Sequence, residues 1–235
     1  MTENPIIVAL DVRTEAEARA LVANLSGAVG AFKVGLELFN AVGPAIFDIV
    51  REAAGGNRRV FYDAKLHDIP NTVAGAVRAA AKNNLWMINI HAAGGSAMMR
   101  AAVEAASQAE KRPLVIAVTV LTSIDTAILN GELGVSGSAQ AHVVKMARLA
   151  QECGCDGVVA SPHEVAAIRA ACGEDFMIVT PGVRPPGAAA GDQKRVMTPR
   201  DAIDAGSTWL VIGRPITKAP DPRAAAEEIW AQMME

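Results

Sequence analysis

Charged residues lie at the ends of several short apolar segments, and together they could perform acid–base or electrostatic chemistry. Asp63 and Lys65 lie at the end of one such segment, with Asp68 shortly after them. Asp11 and Lys33 occupy similar positions in the first two segments. Side chains two residues apart on a strand point to the same side, so we expect Asp63 and Lys65 to be neighbours. An ammonium group fixed beside a carboxylate can stabilise developing negative charge and then donate a proton.

The Asp63–Lys65 pair also has a structural interpretation, as an ion pair that stabilises the rim of the fold. Buried ion pairs are weak evidence for stability, because the desolvation cost can exceed the Coulombic attraction. Further charges at equivalent segment ends are more typical of a functional site. We therefore expect these residues to act on a substrate.

A second group of residues is suited to binding an anion. Gly182 and Arg184 follow one apolar segment, and Gly213 and Arg214 follow the last one. Glycine lets backbone N–H groups approach an anion closely, and arginine donates paired hydrogen bonds to phosphate oxygens. The residues 182–196 are rich in Gly, Pro and Ala, and we predict that they form an active-site loop.

The histidines do not predict a separate site. We expect His67 to point away from Asp63 and Lys65, and His91 to pack at the rim or order a loop. His142 and His163 are predicted to lie on helices near the surface. No His and carboxylate spacing is typical of a metal site, and no nucleophile elbow or P-loop motif is present.

The strand and helix patterns predict an α/β protein. The apolar segments are continuous rather than alternating, which is typical of parallel strands covered on both faces. The predicted strands are 6–11, 31–36, 60–64, 87–91, 114–120, 157–160, 177–180 and 209–212. Helices are predicted at 14–25, 72–83, 97–109 and 139–153, the first with a capping box formed by Thr14 and Glu17.

Strands that alternate with helices in a chain of 235 residues favour a single (β/α)8 TIM barrel over residues 1–235. A doubly wound open sheet is the alternative. In such a barrel the active site lies where the strands end, and the loops after strands seven and eight commonly bind phosphate. Both groups of residues described above fall at these places.

The composition indicates a globular protein without a nucleic-acid partner. Hydrophobic residues make up 51% of the chain and charged residues 20%, and the net charge is -3. No segment approaches the roughly 20 apolar residues that span a bilayer, and residues 1–5 do not resemble a signal peptide. Cys153, Cys155 and Cys172 form neither a disulfide framework nor a zinc spacing, so we expect reduced thiols in the cytoplasm.

Residues 63–73, with the sequence DAKLHDIPNTV, resemble the signature of the orotidine 5'-phosphate decarboxylase family. The resemblance covers nearly the whole chain, and the length is typical of the compact, single-function bacterial form. It includes segments 9–11, 32–35, 89–95, 121–123, 180–185, 191–196 and 211–216.

The resemblance implies decarboxylation of orotidine 5'-monophosphate to uridine 5'-monophosphate, the last step of de novo UMP synthesis, with no metal or organic cofactor. Lys65 would protonate C6 of the pyrimidine, and Asp63 would lie beside the substrate carboxylate. Lys33 would contact Asp63 and, with Asp11, hold the ribose hydroxyls. Thr122 would contact the pyrimidine edge. The residues assigned to the phosphate end are Pro181, Arg184, Gln193, Gly213 and Arg214.

The resemblance also implies a homodimer with shared active sites. Asp68, Ile69 and Thr72 would reach across a two-fold interface into the site of the partner subunit. We expect no nucleic-acid partner and no membrane association.

Two other functions compete with this one. A magnesium-dependent 3-keto-L-gulonate 6-phosphate decarboxylase or hexulose-phosphate synthase shares the Asp-x-Lys-x-x-Asp pattern, but it has an acidic residue on strand two, where this chain has Lys33. A catalytically silent phosphate-binding barrel with a regulatory role would keep Gly213 and Arg214 but would not need Asp63, Lys65 and Asp68 together.

Overall fold

Parallel strands in a closed ring form the centre of the molecule in the computed structural model, which describes residues 3–56, 59–185 and 197–234. The strands follow one another around the ring in chain order, and the first pairs with the last. The strands are β1 (Ile6–Ala9), β2 (Ala31–Val34), β3 (Arg59–Leu66), β4 (Met87–His91), β5 (Leu114–Val118), β6 (Gly157–Val159), β7 (Met177–Pro181) and β8 (Trp209–Ile212). The predicted (β/α)8 barrel is thereby confirmed, and the open-sheet alternative is wrong.

Helices occupy the connections between the strands. They are α1 (Glu15–Leu25), α2 (Leu36–Val42), α3 (Ile46–Ala53), α4 (Pro70–Ala81), α5 (Gly95–Ser107), α6 (Thr126–Gly131), α7 (Ala139–Glu152), α8 (Val165–Cys172), α9 (Pro199–Asp204), α10 (Arg214–Thr217) and α11 (Pro222–Met234). The predicted capping box of α1 is confirmed, because the Thr14 hydroxyl accepts from the Glu17 N–H and the Glu17 carboxylate accepts from the Thr14 N–H. None of the helices in the described ranges is long and apolar enough to cross a bilayer.

The predicted strand ends differ from the structure in ways that affect the site. β1 ends at Ala9 and β2 at Val34, so Asp11 lies beyond its strand and Leu36 begins α2 instead of ending β2. β3 is longer than predicted and runs to Leu66, which places both Asp63 and Lys65 within the strand.

Two apolar layers hold the barrel together. The inner layer comes from alternate strand residues, including Ile7, Ala31, Phe61 and Met87, which pack against one another. The residues between them, such as Val8, face the helices and form the larger outer core. This division follows from the strand geometry, because successive side chains point to opposite faces.

The N-terminal end of the barrel is closed by aromatic side chains. Trp86 and Trp209 pack edge to face with ring centroids 4.8 Å apart. The Arg59 guanidinium lies 5.3 Å from one ring and 5.2 Å from the other, and it pairs with Glu3. This end therefore contributes stability, and the opposite end is left for chemistry.

Candidate active site

The barrel interior changes from apolar to polar toward the C-terminal ends of the strands. Lys33, Asp63 and Asn89 each follow, two residues later, a member of the apolar inner layer. Because the strand period is two, these polar side chains point into the same interior. All three are buried or nearly buried, so their charges and dipoles interact without full screening by water.

Four charged groups form a chain across this end of the barrel. The Lys33 ammonium lies 3.7 Å from an Asp11 carboxylate oxygen and 3.0 Å from Asp63 Oδ2. The other Asp63 oxygen, Oδ1, lies 2.7 Å from the Lys65 ammonium. Opposite charges thus alternate along the chain, and each buried charge has a partner of opposite sign. The Lys65 side chain is 35% exposed and the Lys33 side chain is 10% exposed, so Lys65 carries the more accessible of the two ammonium groups.

The expected contact between Asp63 and Lys65 is present, but the regular strand period is not its cause. β3 and β4 change register, because Tyr62 pairs with Ile88 whereas Leu66 pairs with Ile90. Within this irregularity Lys65 has a φ of 49°, a left-handed conformation that is rare for residues other than glycine. Local strain of this kind is concentrated at functional sites, where it directs a side chain.

The surroundings of Asp63 keep its carboxylate ionised. Burial acts to raise the pKa of Asp63, but the ammonium groups of Lys33 and Lys65 outweigh it. Hydrogen bonds from Lys65 and Asn89 act in the same direction, and the pKa of Asp63 falls to about 2. Asp63 therefore carries a full negative charge throughout the physiological range.

His67 and His91 lie beside this chain of charges. His67 is exposed, and its ring packs against His91 with centroids 5.4 Å apart. Burial lowers the pKa of His91, and the nearby His67 and Lys65 lower it further against the opposing effect of Asp63. Neutral His91 therefore adds no positive charge at neutral pH.

A cavity of about 490 Å³ opens above these residues, a size suited to a small ligand. Most of the residues predicted from the sequence line it, namely Asp11, Lys33, Asp63, Lys65, Thr122, Pro181, Arg184, Gly213 and Arg214. Part of the lining is apolar, with Phe61, Val118, Val159 and Val211 contributed by four different strands. The cavity thus combines apolar surface with charged side chains that could bind a polar ligand.

The side of the cavity after β7 and β8 is strongly basic. Arg184 is buried, and it lines the cavity together with Arg214. Burial and the neighbouring Arg214 guanidinium both lower the pKa of Arg184. Gly182 has a φ of 82°, which glycine adopts without strain, and the chain turns there to bring Arg184 inward. Two guanidinium groups in one pocket favour a ligand with a concentrated negative charge, such as phosphate.

Three of the predicted site residues lie outside the cavity formed by the described residues. Asp68, Ile69 and Thr72 are exposed where β3 leads into α4, and the Ile69 side chain is 67% exposed. Gln193 and the predicted loop from residue 186 onward lie outside the described residues.

Asn89 and Glu37 also line the cavity, although neither was predicted from the sequence. Glu37 lines the cavity from α2 and pairs with Arg13. Asn89 is 1% exposed, and its amide contacts both Asp63 and Lys65. The signal for Asn89 was available, because it is a polar residue between two isoleucines in an otherwise apolar strand.

Other potential metal or nucleophilic groups do not converge on the cavity. Among the side chains that the structure describes, no group of three or more His, Cys, Asp or Glu residues could hold a metal ion. Cys153, Cys155 and Cys172 are buried free thiols. Burial is the main cause that raises the pKa of Cys155, to about 12, so this thiol stays protonated and unreactive.

The arrangement can therefore bind an anionic ligand at one end and act on it at the other. Arg184 and Arg214 would bind a phosphate, and the apolar part of the lining would accommodate a planar ring. The accessible Lys65 ammonium, held by Asp63, would meet negative charge that develops on the ring and could donate a proton to it.

The chain is similar along nearly its whole length to proteins of one family. Residues 4–229 match the model of the orotidine 5'-phosphate decarboxylase / HUMPS family. An orotidine 5'-phosphate decarboxylase from Moorella thermoacetica is 54% identical over 98% of this chain and 92% of its own, and one from Syntrophomonas wolfei is 50% identical over 98% of each. The crystal structure of orotidine 5'-phosphate decarboxylase from Lactobacillus acidophilus superimposes with a TM-score of 0.86 and 35% identity, over 99% of this chain and 100% of that one.

Proposed function

This chain belongs to the orotidine 5'-phosphate decarboxylase family, and we propose here how its residues carry out the reaction. The reaction converts orotidine 5'-monophosphate to uridine 5'-monophosphate and carbon dioxide. The chain is a carboxy-lyase of pyrimidine biosynthesis. The observation that carries the mechanism is the Lys65 ammonium, held 2.7 Å from the buried Asp63 carboxylate at the cavity surface.

Lys65 stabilises the carbanion and then protonates it. When the bond from C6 to the carboxyl group breaks, its electron pair stays on C6 in an orbital in the plane of the ring. The ring π-system cannot delocalise this pair, so a fixed positive charge near C6 must stabilise it. Lys65 supplies that charge, and a proton passes from its ammonium group to C6 to give the product.

Asp63 and Lys33 hold Lys65 in place. Asp63 binds the Lys65 ammonium through Oδ1 and the Lys33 ammonium through Oδ2, so the carboxylate is fixed from both sides. This fixed position lowers the reorganisation needed when charge develops on the substrate. Asp63 also lies beside the substrate carboxylate, and Lys33 and Asp11 bind the ribose hydroxyls.

The remaining residues of the cavity bind the rest of the nucleotide. Thr122 contacts the pyrimidine edge, Pro181 packs against the substrate, and the phosphate is bound by Arg184, Gly213, Arg214 and Gln193. The paired guanidinium groups of Arg184 and Arg214 support this orientation. Binding energy from the remote phosphate then helps to organise the reacting groups.

We propose further that the active form is a homodimer with shared sites, in which Asp68, Ile69 and Thr72 enter the cavity of the partner subunit. Their exposure beside the end of β3, next to Lys65 in the chain, supports this role. The chain is proposed to form one domain over residues 1–235, and to work in the cytoplasm, where its three buried free thiols would stay reduced.

We also propose that the reaction needs no metal or organic cofactor. The magnesium-dependent reactions of the wider superfamily require the site to bind a divalent cation. Here the Lys33 ammonium lies between Asp11 and Asp63, at 3.7 Å and 3.0 Å from their oxygens. A cation at this place would have to displace Lys33 or bind against its positive charge, which disfavours magnesium.

The decisive experiment follows the loss of ultraviolet absorbance as the purified protein converts orotidine 5'-monophosphate in excess EDTA. We expect turnover, and we expect Lys65→Ala to lower kcat by at least about 10³-fold. Lys145→Ala, which removes an exposed ammonium group on α7, is the matched control and should retain full activity.

Other outcomes would contradict parts of the proposal. Turnover that stops in EDTA and returns with magnesium would rule out the metal-free mechanism. Full activity of a folded Lys65→Ala variant would remove Lys65 as the proton donor.

A further inference from the structure

Asn89 makes two hydrogen bonds, one with the Lys65 backbone and one with Asp63, the ion-pair partner of the Lys65 side chain. It lies in the middle of β4, between two buried isoleucines, and is 1% exposed. Its side-chain oxygen accepts from the backbone N–H of Lys65 at 2.7 Å, and its side-chain nitrogen donates to Asp63 Oδ1 at 2.6 Å. The same Asp63 oxygen accepts from the Lys65 ammonium, so one amide contacts both the backbone of Lys65 and the partner of its side chain.

The register of β3 explains why this side chain is needed. Tyr62 pairs with Ile88 and Leu66 with Ile90, so the three β3 residues between the pairs face a single β4 residue, Asn89. The backbone of β4 cannot satisfy every N–H and C=O group of a longer segment opposite it. A buried N–H without a partner is costly, and the Asn89 oxygen takes the place of the missing backbone acceptor for Lys65.

The same bond stabilises an uncommon backbone conformation. Lys65 has a φ of 49°, which costs free energy in any residue with a side chain and persists only where the surroundings impose it. The left-handed turn changes the direction in which the Lys65 side chain leaves the strand. Without an acceptor for its N–H, the backbone would lose the contact that favours this turn.

The second hydrogen bond holds the Asp63 carboxylate, which is the ion-pair partner of the Lys65 side chain. The Asn89 nitrogen donates to an oxygen that is already bound to Lys65, and it also helps to keep that carboxylate ionised. An amide is suited to both tasks, because it offers an acceptor and a donor side by side without a charge of its own. Aspartate would lack the donor, and leucine, which has a similar shape, would lack both groups.

We propose that Asn89 is a positioning residue for the decarboxylation, which sets the direction of the Lys65 ammonium by holding the Lys65 backbone and the Asp63 carboxylate together. This inference rests on the proposed role of Lys65. Asn89 acts through Lys65 and Asp63, so its loss should lower kcat and leave KM for orotidine 5'-monophosphate nearly unchanged.

Two substitutions test the proposal. Asn89→Leu keeps the approximate shape and removes both hydrogen bonds, and we expect kcat to fall by about 10²-fold, the effect of a displacement of about 1 Å in a catalytic group. Thr119→Val is the matched control, because Thr119 is also buried at a strand end and loses one hydrogen bond, from its hydroxyl to the Val159 carbonyl, 2.9 Å away. We expect Thr119→Val to keep kcat within about threefold, and we expect Asn89→Leu to be the less stable variant, because it leaves the Lys65 N–H without an acceptor.

Asn89→Asp adds a readout that a purely structural residue would not affect. The introduced carboxyl faces Asp63 and Lys65, with Lys33 on the other Asp63 oxygen and His91 further along β4. Two adjacent carboxylates share a proton readily, and the protonated form restores a donor to Asp63 beside an acceptor for Lys65. The ratio of kcat for Asn89→Asp to kcat for the unchanged enzyme should therefore fall as pH rises, whereas the ratio for Asn89→Leu should not change.

The outcomes separate this inference from the mechanism on which it rests. If the unchanged enzyme and Lys65→Ala are equally active, the proposed role of Lys65 fails first. If Lys65→Ala is inactive but Asn89→Leu keeps its kcat, Asn89 has no positioning role. If Asn89→Leu does not fold, Asn89→Asp decides, and a ratio that is constant with pH would overturn the inference.

Discussion

Asp63 separates two ammonium groups that would otherwise repel each other. Its two oxygens lie 3.0 Å from the Lys33 ammonium and 2.7 Å from the Lys65 ammonium. A buried charge without a partner is strongly unfavourable, and two neighbouring ammonium groups also repel each other. Asp63 therefore lets these two ammonium groups lie close together at the cavity, and Asp11 gives Lys33 a second partner of opposite charge.

The ionisation of Asp63 predicts an acid-sensitive contribution to stability. Its pKa falls from 3.8, the ordinary value, to about 2 in the folded protein. A carboxyl with a depressed folded pKa stabilises the fold above its unfolded pKa, and this stabilisation is lost as the pH falls through the folded pKa. We expect the unchanged protein to lose about 2 kcal/mol more than Asp63→Asn in the free energy of unfolding between about pH 4 and pH 2. Urea unfolding at each pH measures this difference.

The control for this experiment is Asp175→Asn, because Asp175 is an exposed carboxylate shortly before β7. This variant should follow the pH dependence of the unchanged protein. If Asp63→Asn and the unchanged protein lost stability in parallel between about pH 4 and pH 2, the depressed pKa of Asp63 would be wrong.

The charged strand residues Lys33 and Asp63 could be predicted from the sequence more readily than Asn89. Charges such as Lys33 and Asp63 are conspicuous in apolar strands, because burying them is costly without a functional reason. Asn89 is neutral, and a single amide in a strand has many structural explanations. The left-handed conformation of Lys65 was not predictable either, because it depends on the change of register against β4 and not on local residue types.

Among the secondary-structure elements, the strands could be predicted from the sequence more completely than the helices. Each strand is a short apolar run that differs sharply from its surroundings, and β4 and β8 have the predicted bounds. Helices such as α2 and α3 were not predicted, because each is short and lies close to a strand that shares its apolar residues. α4 begins at Pro70 rather than at residue 72, since proline is well suited to the first helical turn.

Arg169 connects several elements at the N-terminal end of the barrel, away from the cavity. Its side chain is 10% exposed. It donates hydrogen bonds to the carbonyl groups of Gly173, Glu174, Phe176 and Gly206 and to the hydroxyl of Thr208. These contacts join the end of α8 to the segments that lead into β7 and β8. The planar guanidinium makes them possible, and an ammonium group cannot reach all of these acceptors.

Arg169→Lys should therefore lower stability without affecting catalysis. We expect a loss of about 3 kcal/mol in the free energy of unfolding, because the part-buried hydrogen bonds to the Phe176 and Gly206 carbonyl groups and several exposed ones are lost together. This corresponds to a fall in Tm of roughly 6–12 °C, while kcat at 25 °C should be unchanged. Arg148→Lys, at an exposed position on α7, should leave both quantities unchanged. A decrease in kcat with normal Tm would contradict this division between the two ends of the barrel.

The whole molecule divides its tasks between the two ends of the closed sheet. The N-terminal end is closed by Arg59, Trp86 and Trp209, and the C-terminal end carries the charged cavity. The sequence could predict this division, because a barrel of parallel strands places all strand ends on one face. Local pattern could not predict whether an exposed residue faces solvent or a second subunit, because both leave the side chain uncovered in a single chain.

The exposed segment after β3 is the part of the chain that the proposed shared site would use. Ile69 is an apolar side chain that is 67% exposed, so it offers apolar surface that a partner subunit could bury. Asp68 precedes it, and its carboxylate accepts from the Ile69 backbone N–H at 2.6 Å. A second copy of the chain, related by two-fold symmetry, would bury Ile69 and bring Asp68 toward the partner's Lys65.

A mixture of two inactive variants tests this arrangement of the dimer. Lys65→Ala and Asp68→Ala each remove one half of a shared site, so neither homodimer has a complete site. In a mixed dimer, one site combines the intact Lys65 of one chain with the intact Asp68 of the other. Random exchange of subunits should therefore restore activity in about a quarter of all sites. Lys65→Ala mixed with Asp63→Asn is the control and should stay inactive, because Lys65 and Asp63 belong to the same half of the site. If subunit exchange is demonstrated with tagged chains and the first mixture also stays inactive, Asp68 does not serve the partner's site.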